Sequence, residues 1–334
     1  MLRSPGRPLL VFIAVMILAT LVVPGRAPAY YTHVVNLLMV YGILALGLDI
    51  LIGLCGQFAF AHAAFFGIGC YTTALLYMRL GAPFLIGMPA GAVLAGLVGL
   101  LVGLPAMRMR SLYLALATFA FAEAARWVAA SWDSVTGGSN GLRIDPGTVF
   151  GWSIVTEADA FPIVAGVFTL VVISISHLVR SRLGAEMLAV RESEHVAMAS
   201  GIDINRTKLL AFTISAVFAG IAGGVFALLN SFVNPDHFSF GTAIMVLTML
   251  VVGGFGSLPG VLSGVVVIGL LPEVLRVALK SIQVWQELIY GGILMATMMF
   301  MPLGLAGLSR QMLGKARRAN RALDATLGGT ETPP

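Results

Sequence analysis

The stretch "GAEMLAVRESEHVAMASGIDINRTK", residues 184–208, interrupts a chain that otherwise consists largely of apolar runs. Seven charged residues, one histidine and one asparagine make up nine of its 25 residues, whereas the 334-residue chain is 58% hydrophobic and 10% charged. Charged side chains are costly inside a bilayer. We therefore expect this segment to lie outside the membrane and to connect two groups of membrane-spanning helices.

The composition around this segment is typical of a polytopic membrane protein, with a mean hydropathy of +0.96 and 39 glycines. A helix needs roughly 20 apolar residues to cross a hydrocarbon core about 30 Å thick, and its backbone groups must be bonded internally. The sequence predicts an all-α fold with about ten spanning or partly spanning segments. They cover residues 9–24, 34–54, 58–78, 84–104, 111–130, 161–179, 208–230, 240–255, 258–279 and 285–302.

The positions of the 20 lysines and arginines predict the orientation of these segments. With a cytoplasmic N-terminus, 14 of them lie on the cytoplasmic side and six outside, which is the bias of the positive-inside rule. An even number of spans then returns the C-terminus to the cytoplasm. We expect a transmembrane domain over residues 1–308, with a cytoplasmic loop at 180–208, and a basic, flexible tail at 309–334. This distribution is not that of a nucleic-acid-binding surface.

A possible internal repeat is found when the chain is shifted by 200 positions, so that "LIGLCGQFAFAHAAFFGIG" (51–69) aligns with "VVGGFGSLPGVLSGVVVIG" (251–269). Three glycines coincide in the two stretches. Corresponding glycine-interrupted segments in two halves of a transporter point to its transport pathway, although small and polar residues also serve helix packing. The pathway candidates are Asp49, Gly53, Gly56, Gln57, His62, Gly253, Gly254 and Gly256.

The sequence contains no GxxxxGK[ST] phosphate loop, HExxH metal motif or GxSxG nucleophile elbow. We therefore expect neither enzyme activity nor a bound metal or cofactor in this chain, and any ATP has to be bound by another chain. Cys55 and Cys70 lie in apolar or glycine-rich runs, which predicts small buried side chains rather than a disulfide or a metal cluster.

Two carboxylates fall within predicted spans, where an ionisable group is a functional candidate. Asp49 lies late in the second span, where it could cap the glycine-rich break at Gly53. Glu123 is followed three residues later by Arg126, which predicts a local ion pair near the outer surface. Alternatively, either carboxylate could couple transport to protons or sodium, as in a secondary transporter.

The sequence "TGGSNGL", residues 136–142, predicts a flexible loop on the outer face. Gly137, Gly138 and Gly141 can adopt positive φ. Together with Asn140 they are candidates for contact with a substrate or with an external delivery protein. A plain turn is the alternative.

Within the polar segment, residues 185–200 predict one four-turn helix that ends at Gly201 as its C′ residue. A helix that lies on lipid carries mainly basic residues on its polar face. This helix mixes Glu186, Glu192 and Glu194 with Arg191. A docking surface for a cytoplasmic protein fits this mixture better.

The spacing of Glu194, Ala197 and Gly201, E-x-x-A-x-x-x-G, is similar to the loop by which permeases of ABC importers dock into their ATPase subunits. Its setting, "RSRLGAEMLAVRESEHVAMASGIDINRTKLLAFTISAVFAGIAGG", resembles the branched-chain amino-acid permeases of the LivM type. The resemblance extends in order to "NLLMVYGILALGLDILIGLCGQFAFAHAAFFGIGCYTTALL", "TGGSNGL", "LVVGGFGSLPGVLSGV" and "MPLGLAGL", and so covers most of the chain. The chain departs from the family at three loop positions that arginine or alanine often fill: His195, Met198 and Ser200.

The resemblance implies a multi-pass permease of the bacterial inner membrane, surrounded by lipid, that forms half of a pathway for leucine, isoleucine and valine or a related small polar solute. It also implies a second related permease, two cytoplasmic ATPases that bind ATP and Mg²⁺, and a periplasmic solute-binding protein. Relatives for urea, short amides or aromatic acids leave the substrate open. The residues implied to contact the ATPase are Glu186, Arg191, Glu194, Ala197 and Gly201.

Overall fold

The computed structural model of the protein describes residues 28–107, 109, 111–144, 148–149, 152–154, 156–278 and 286–300, with the single residues 16, 20 and 305. These residues form twelve α-helices and two short antiparallel strand pairs. The helices are α1 (Ala29–Asp49), α2 (His62–Leu80), α3 (Phe84–Ala106), α4 (Ser111–Ser131), α5 (Asp133–Thr136), α6 (Glu157–Arg180), α7 (Arg182–Glu192), α8 (Glu194–Ala199), α9 (Ile204–Leu229), α10 (Phe240–Gly253), α11 (Leu258–Ala278) and α12 (Gln286–Phe300).

Four short strands form one pair between distant segments and one local hairpin. β1 pairs with β4, and β2 pairs with β3, in both cases antiparallel. The strands are β1 (Leu142–Arg143), β2 (Thr148–Val149), β3 (Trp152–Ser153) and β4 (Phe232–Val233). The first pair joins the loop after α5 to the segment after α9.

Helix α1 is the central element of the fold. It continues into a π-helical turn at Ile50–Leu54, and 83% of its most apolar window is buried within the protein. It packs against α6, α9, α10 and α11. A helix that is apolar on all sides is stable only in an interior of this kind.

Helices α2, α3 and α9 pack closely against one another because small residues let their backbones approach. A Cβ atom on Gly69 of α2 would lie 2.2 Å from the carbonyl oxygen of Gly220 in α9. A Cβ atom on Gly223 would lie 2.0 Å from the carbonyl oxygen of Phe66. These distances exclude any side chain, so glycine is required where α2 meets α9.

Helix α4 lies at the edge of the bundle. Only 17% of its membrane-length window, Leu112–Ser131, is buried, and Leu116 and Trp127 are largely exposed. Exposed apolar surface of this extent marks contact with lipid or with another protein. Helix α4 is therefore a boundary of the protein toward its membrane surroundings.

The helices agree with most of the predicted spans. Nine of the ten predicted segments coincide with α1–α4, α6 and α9–α12, and among the described residues six helices are long and apolar enough to cross a membrane. The first predicted segment, apart from residues 16 and 20, and the tail at 309–334 lie outside the described residues. Helix α2 begins at His62 rather than at residue 58, because Gly56, with φ of +74°, ends the preceding π-helical turn.

We expect Gly223→Ala to destabilise the bundle, because its Cβ would overlap the carbonyl oxygen of Phe66 and push α9 away from α2. Overpacking of this kind costs roughly 1–3 kcal/mol, which thermal unfolding of the detergent-purified protein would show as a lower Tm. Gly166→Ala in α6 is the matched control, since no atom lies within 4 Å of a Cβ placed there. Equal Tm values for the two variants would contradict the close packing of α2 and α9.

Candidate functional site

The polar segment between α6 and α9 folds into two helices, α7 and α8, and the prediction of one helix over residues 185–200 is wrong. Ser193 separates the two helices with extended backbone, and its hydroxyl accepts a hydrogen bond from the Val196 N–H at 3.4 Å. Serine favours this N-cap conformation over a helix interior, because its side chain replaces the missing backbone acceptor. The break at Ser193 is thus a local property of the sequence.

The end of α8 agrees with the sequence prediction. Gly201 has φ of +80°, and its N–H donates to the Met198 carbonyl at 3.0 Å. The Ile202 N–H donates to the Ala197 carbonyl, also at 3.0 Å. This pair of bonds is a Schellman motif, in which the left-handed C′ position favours glycine. Gly201 is confirmed as the C′ residue.

Some apolar residues of α7 and α8 are buried, and others are exposed. Met187, Val190 and Ala197 are buried against the bundle, at 0%, 3% and 1% exposure. Val196 and Met198 flank Ala197 and are exposed, at 65% and 61%. The buried side chains fix the two helices to the bundle. The exposed side chains are therefore presented at fixed positions on the surface.

We call Leu188, Val196 and Met198 the outer patch. These three apolar side chains are exposed beside the charged residues Glu192 and Glu194. Apolar groups with a polar rim mark interaction surfaces.

Arg191 is exposed and also bonded to the bundle, and its contact with an ATPase stays a prediction. Its guanidinium donates a hydrogen bond to the carbonyl oxygen of Gly53, in the π-helical turn after α1. A Cβ placed on Gly56 would lie 3.1 Å from the Cγ of Arg191. Arg191 therefore ties α7 to the glycine-rich break at the end of α1.

The two other charged candidates of the polar segment form ion pairs within it. Glu194 pairs with Lys208 at 2.7 Å, across the turn between α8 and α9. Glu186 pairs with Arg182 at 2.9 Å on the surface of α7. The Glu194 pair holds α8 against the start of α9, whereas the exposed Glu186 pair adds little stability.

Asp49 joins the two glycine-rich stretches. Its buried carboxylate accepts a hydrogen bond from the Gly256 N–H at 2.8 Å. A Cβ on Gly53 would lie 1.8 Å from the Asp49 Oδ1 atom and 2.8 Å from the Gly256 nitrogen. Asp49 therefore caps the break after α10, and the prediction that it caps the break at Gly53 is wrong. The absence of a side chain on Gly53 leaves room for the bond between Asp49 and Gly256.

The two breaks share a backbone conformation. Gly56 and Gly256, which are matched in the predicted repeat, have φ of +74° and +68°. A Cβ on Gly256 would lie 3.2 Å from the Gly53 carbonyl oxygen, so the breaks lie side by side. Gly253 and Gly254 are buried at the end of α10. The repeat remains a prediction over the rest of its length.

Gln57 and His62 are both buried, and His62 lies where α1, α2 and α9 meet. The Leu44 carbonyl oxygen, 2.8 Å from the Nε2 atom of His62, can only accept, so Nε2 carries the hydrogen. Nδ1 then accepts a hydrogen bond from the Ser215 hydroxyl at 3.2 Å. His62 thus links three helices, and a pathway role for it and for the glycines stays a prediction.

The segment "TGGSNGL" contains the end of α5, a 3₁₀ turn at Gly138–Asn140 and the start of β1, and its flexibility stays a prediction. Gly137, Gly138 and Gly141 have φ of +72°, +60° and +70°, as expected for these glycines. A Cβ on Gly141 would lie 2.5 Å from the Val233 carbonyl oxygen, where β1 pairs with β4. Asn140 is exposed in the turn. The pairing fixes this loop to the segment after α9.

The ion pair between Glu123 and Arg126 is confirmed, with 3.0 Å between Oε2 and Nε. Arg126 also lies 3.6 Å from the carboxylate of Asp236, in the turn Pro235–Phe238. Sequence reasoning missed Asp236, because nothing local in the sequence relates it to α4. Burial lowers the pKa of the neighbouring His237 below its usual value, against the effect of Asp236.

Both cysteines are buried and unpaired, as predicted. Cys70 lies within α2, and Cys55 lies in the turn after the π-helical segment. Neither thiol is accessible at the surface.

The bundle of membrane-length helices, the paired glycine breaks at the ends of α1 and α10 and the charged two-helix segment between α6 and α9 define a polytopic membrane protein. Comparison with known families specifies the class. The family described as branched-chain amino acid transport system / permease component matches residues 30–298, and the chain belongs to this family.

Individual relatives agree with the family. The chain is 32% identical over 326 residues to the high-affinity branched-chain amino acid transport system permease protein LivM of Escherichia coli (strain K12), covering 90% of this chain and 76% of the relative. It is 34% identical over 304 residues to the corresponding LivM protein of Salmonella typhimurium, covering 84% and 71%. The LivH permease protein of Escherichia coli is 26% identical over 294 residues, covering 80% and 91%. No solved structure matches the chain significantly.

We expect Asp49→Leu to lower the free energy of unfolding by about 1–3 kcal/mol, because the Gly256 N–H loses its charged acceptor. Asp49→Asn keeps a side-chain oxygen at the same position and should lose less. Thermal unfolding of the detergent-purified variants measures the difference. An equal loss in both variants would show that the bond to Gly256 does not stabilise the protein.

Proposed function

We propose that the protein is the membrane-embedded permease subunit of an ATP-driven importer for leucine, isoleucine and valine in the bacterial inner membrane. Family membership over residues 30–298 supports the transport class. The relatives named LivM and LivH are permease proteins of high-affinity branched-chain amino acid transport systems, which supports the cargo. Six membrane-length helices among the described residues support a multi-pass membrane location.

The observation that carries the proposal of an ATP-driven partner is the outer patch. Leu188, Val196 and Met198 are exposed on a segment whose charged residues keep it outside the hydrocarbon core. Burial of apolar surface drives association in water, and we assign this surface to the cytoplasmic ATPase. The chain has no phosphate loop of its own, so ATP and Mg²⁺ are bound by that subunit.

Two hydrogen bonds connect the proposed docking segment to the interior. Arg191 links α7 to the Gly53 carbonyl, and Asp49 links the same turn to Gly256 after α10. A ligand or partner shifts a conformational equilibrium only through contacts that differ between the two states. When ATP binding closes the ATPase pair, displacement of α7 therefore acts on both glycine breaks at once.

The remaining partners follow from the same class. A second, related permease completes the pathway, since this chain is similar to both LivM and LivH proteins. The exposed apolar surface of α4 provides area for contact with that permease or with lipid. A periplasmic binding protein delivers the amino acid to the side that carries the turns of residues 136–142.

The double variant Val196→Glu with Met198→Glu is expected to lose the ATPase, because two charges replace the exposed apolar side chains of the outer patch. The measurement is copurification of the ATPase from cells that express the whole importer. His195→Gln, an exposed polar replacement on the same helix, is the matched control. ATPase recovery equal to wild type in the double variant would refute the docking assignment.

Transport by the assembled importer tests the energy source. Proteoliposomes with ATP inside and the binding protein outside are expected to accumulate radiolabelled leucine, with no requirement for an ion gradient. Uptake by this chain alone under a proton or sodium gradient, abolished by Asp49→Asn, would instead establish a secondary transporter.

A further inference from the structure

A cavity lies between α2, α4 and the turn Pro235–Phe238, next to the turns of residues 136–142. Its volume is about 430 Å³. Small-molecule sites are concave and mostly apolar, with a few polar groups that orient the ligand. The main apolar side chains of the wall are Ile68, Leu75, Phe121, Val128, Trp132 and Phe238.

Arg126 brings positive charge to this apolar cavity. It lines the cavity, and its Nε and Nη1 atoms face Glu123 and Asp236 at 3.0 and 3.6 Å. A guanidinium has five N–H donors, so these two contacts leave donors for another acceptor. The Asp236 side chain is 76% exposed and therefore retains acceptor positions of its own.

Tyr71 contributes a neutral polar group to the same wall. The residue is 8% exposed, and its hydroxyl is buried without a hydrogen-bond partner. Buried polar groups in native proteins are almost always paired. An unpaired hydroxyl beside a cavity is accounted for when a ligand supplies the partner.

We propose that this cavity is the site at which the permease receives a zwitterionic amino acid with an apolar side chain. The ligand carboxylate binds the free donors of Arg126, and its ammonium is oriented toward Glu123 and Asp236, which flank Arg126 just outside the cavity lining. The apolar side chain packs on the aromatic wall. This inference rests on the proposed function and adds the place and the chemistry of substrate recognition.

The charges of the site discriminate between classes of substrate. One guanidinium flanked by two carboxylates complements a ligand that carries both an anion and a cation. An aromatic acid without an ammonium leaves the carboxylates without a cationic ligand group, and urea or a short amide offers no charge at all. A site built to bind a polar group rejects analogues that lack it, because its own groups are then left unpaired.

Uptake by the complete importer, reconstituted with its ATPases, second permease and binding protein, gives the first test. We expect Arg126→Gln to lower the rate of leucine uptake at saturating binding protein by about tenfold or more, through the loss of a charge-assisted contact. Arg126→Lys keeps the charge without the planar fork and should fall between Arg126→Gln and wild type. Copurification of the ATPase shows that each variant is folded and assembled.

Filling the cavity gives an independent test of the same site. Ala124 is exposed and lines the cavity, so Ala124→Trp occupies the volume without disturbing a packed core. Ala120, one turn earlier on α4, is exposed and outside the cavity lining, so Ala120→Trp is the matched control. We expect loss of uptake in the first variant and wild-type uptake in the second. Wild-type uptake in both Arg126→Gln and Ala124→Trp overturns the proposal.

Chemical labelling of Thr72→Cys reports occupancy without transport, because Thr72 lines the cavity and the natural cysteines are buried. L-leucine is expected to slow maleimide labelling of the importer. N-acetyl-L-leucine, without the ammonium, and L-leucinamide, without the carboxylate, are expected to have no such effect. Equal labelling with and without L-leucine overturns the site, as when a lipid chain or a helix of the second permease fills the cavity. Absence of leucine uptake by the wild-type importer overturns the proposed function instead.

Discussion

The contact between the backbones of α2 and α9, at Gly69, Gly220 and Gly223, is the constraint on which the rest of the structure depends. Moving an apolar side chain from lipid into a helix interface gains little free energy, because lipid tails are equally apolar. Close packing and hydrogen bonds must therefore hold the helices together. With α2 and α9 in direct contact, His62 at the start of α2 reaches α1 and α9 with its two ring nitrogens. The central helix is thereby fixed against the tightest part of the bundle.

From that fixed part, a series of polar contacts reaches the surface of the protein. Asp49, at the end of α1, binds the backbone beyond α10, and Arg191 binds the backbone one turn beyond Asp49. A charged side chain in a membrane protein is costly unless it is paired, and both of these side chains are bonded to backbone groups at glycine breaks. The interior and the proposed docking segment are therefore connected by contacts that an apolar side chain could not replace.

The sequence predicted those features that depend on nearby residues. Hydropathy located the spans because length and apolarity are direct requirements of the bilayer. The C′ role of Gly201 and the pair of Glu123 with Arg126 were predictable because each involves residues within one turn of a helix. Ser193 also carried a local signal, a serine followed by an acidic residue, which marks a helix start.

Other features depend on tertiary contacts that leave no local pattern. Asp49 and Gly256 are 207 positions apart, and the repeat alignment matches Gly256 with Gly56 rather than with Asp49. Arg126 meets Asp236 because α4 packs on the turn Pro235–Phe238, near the pairing of β1 with β4. The cavity is likewise formed by three segments, α2, α4 and the turn Pro235–Phe238. None of the three sequences predicts a cavity by itself, so it is found only in the folded structure.

The break at Ser193 divides the proposed docking segment into two helices that make different polar contacts with the bundle. Helix α7 is bonded through Arg191 to the end of the central helix. Helix α8 is bonded to the start of α9 through the ion pair of Glu194 with Lys208. Of the outer patch, Leu188 lies on α7, and Val196 and Met198 lie on α8. Under the proposed docking, one ATPase subunit therefore acts on two separate bonds to the bundle, one at the end of α1 and one at the start of α9.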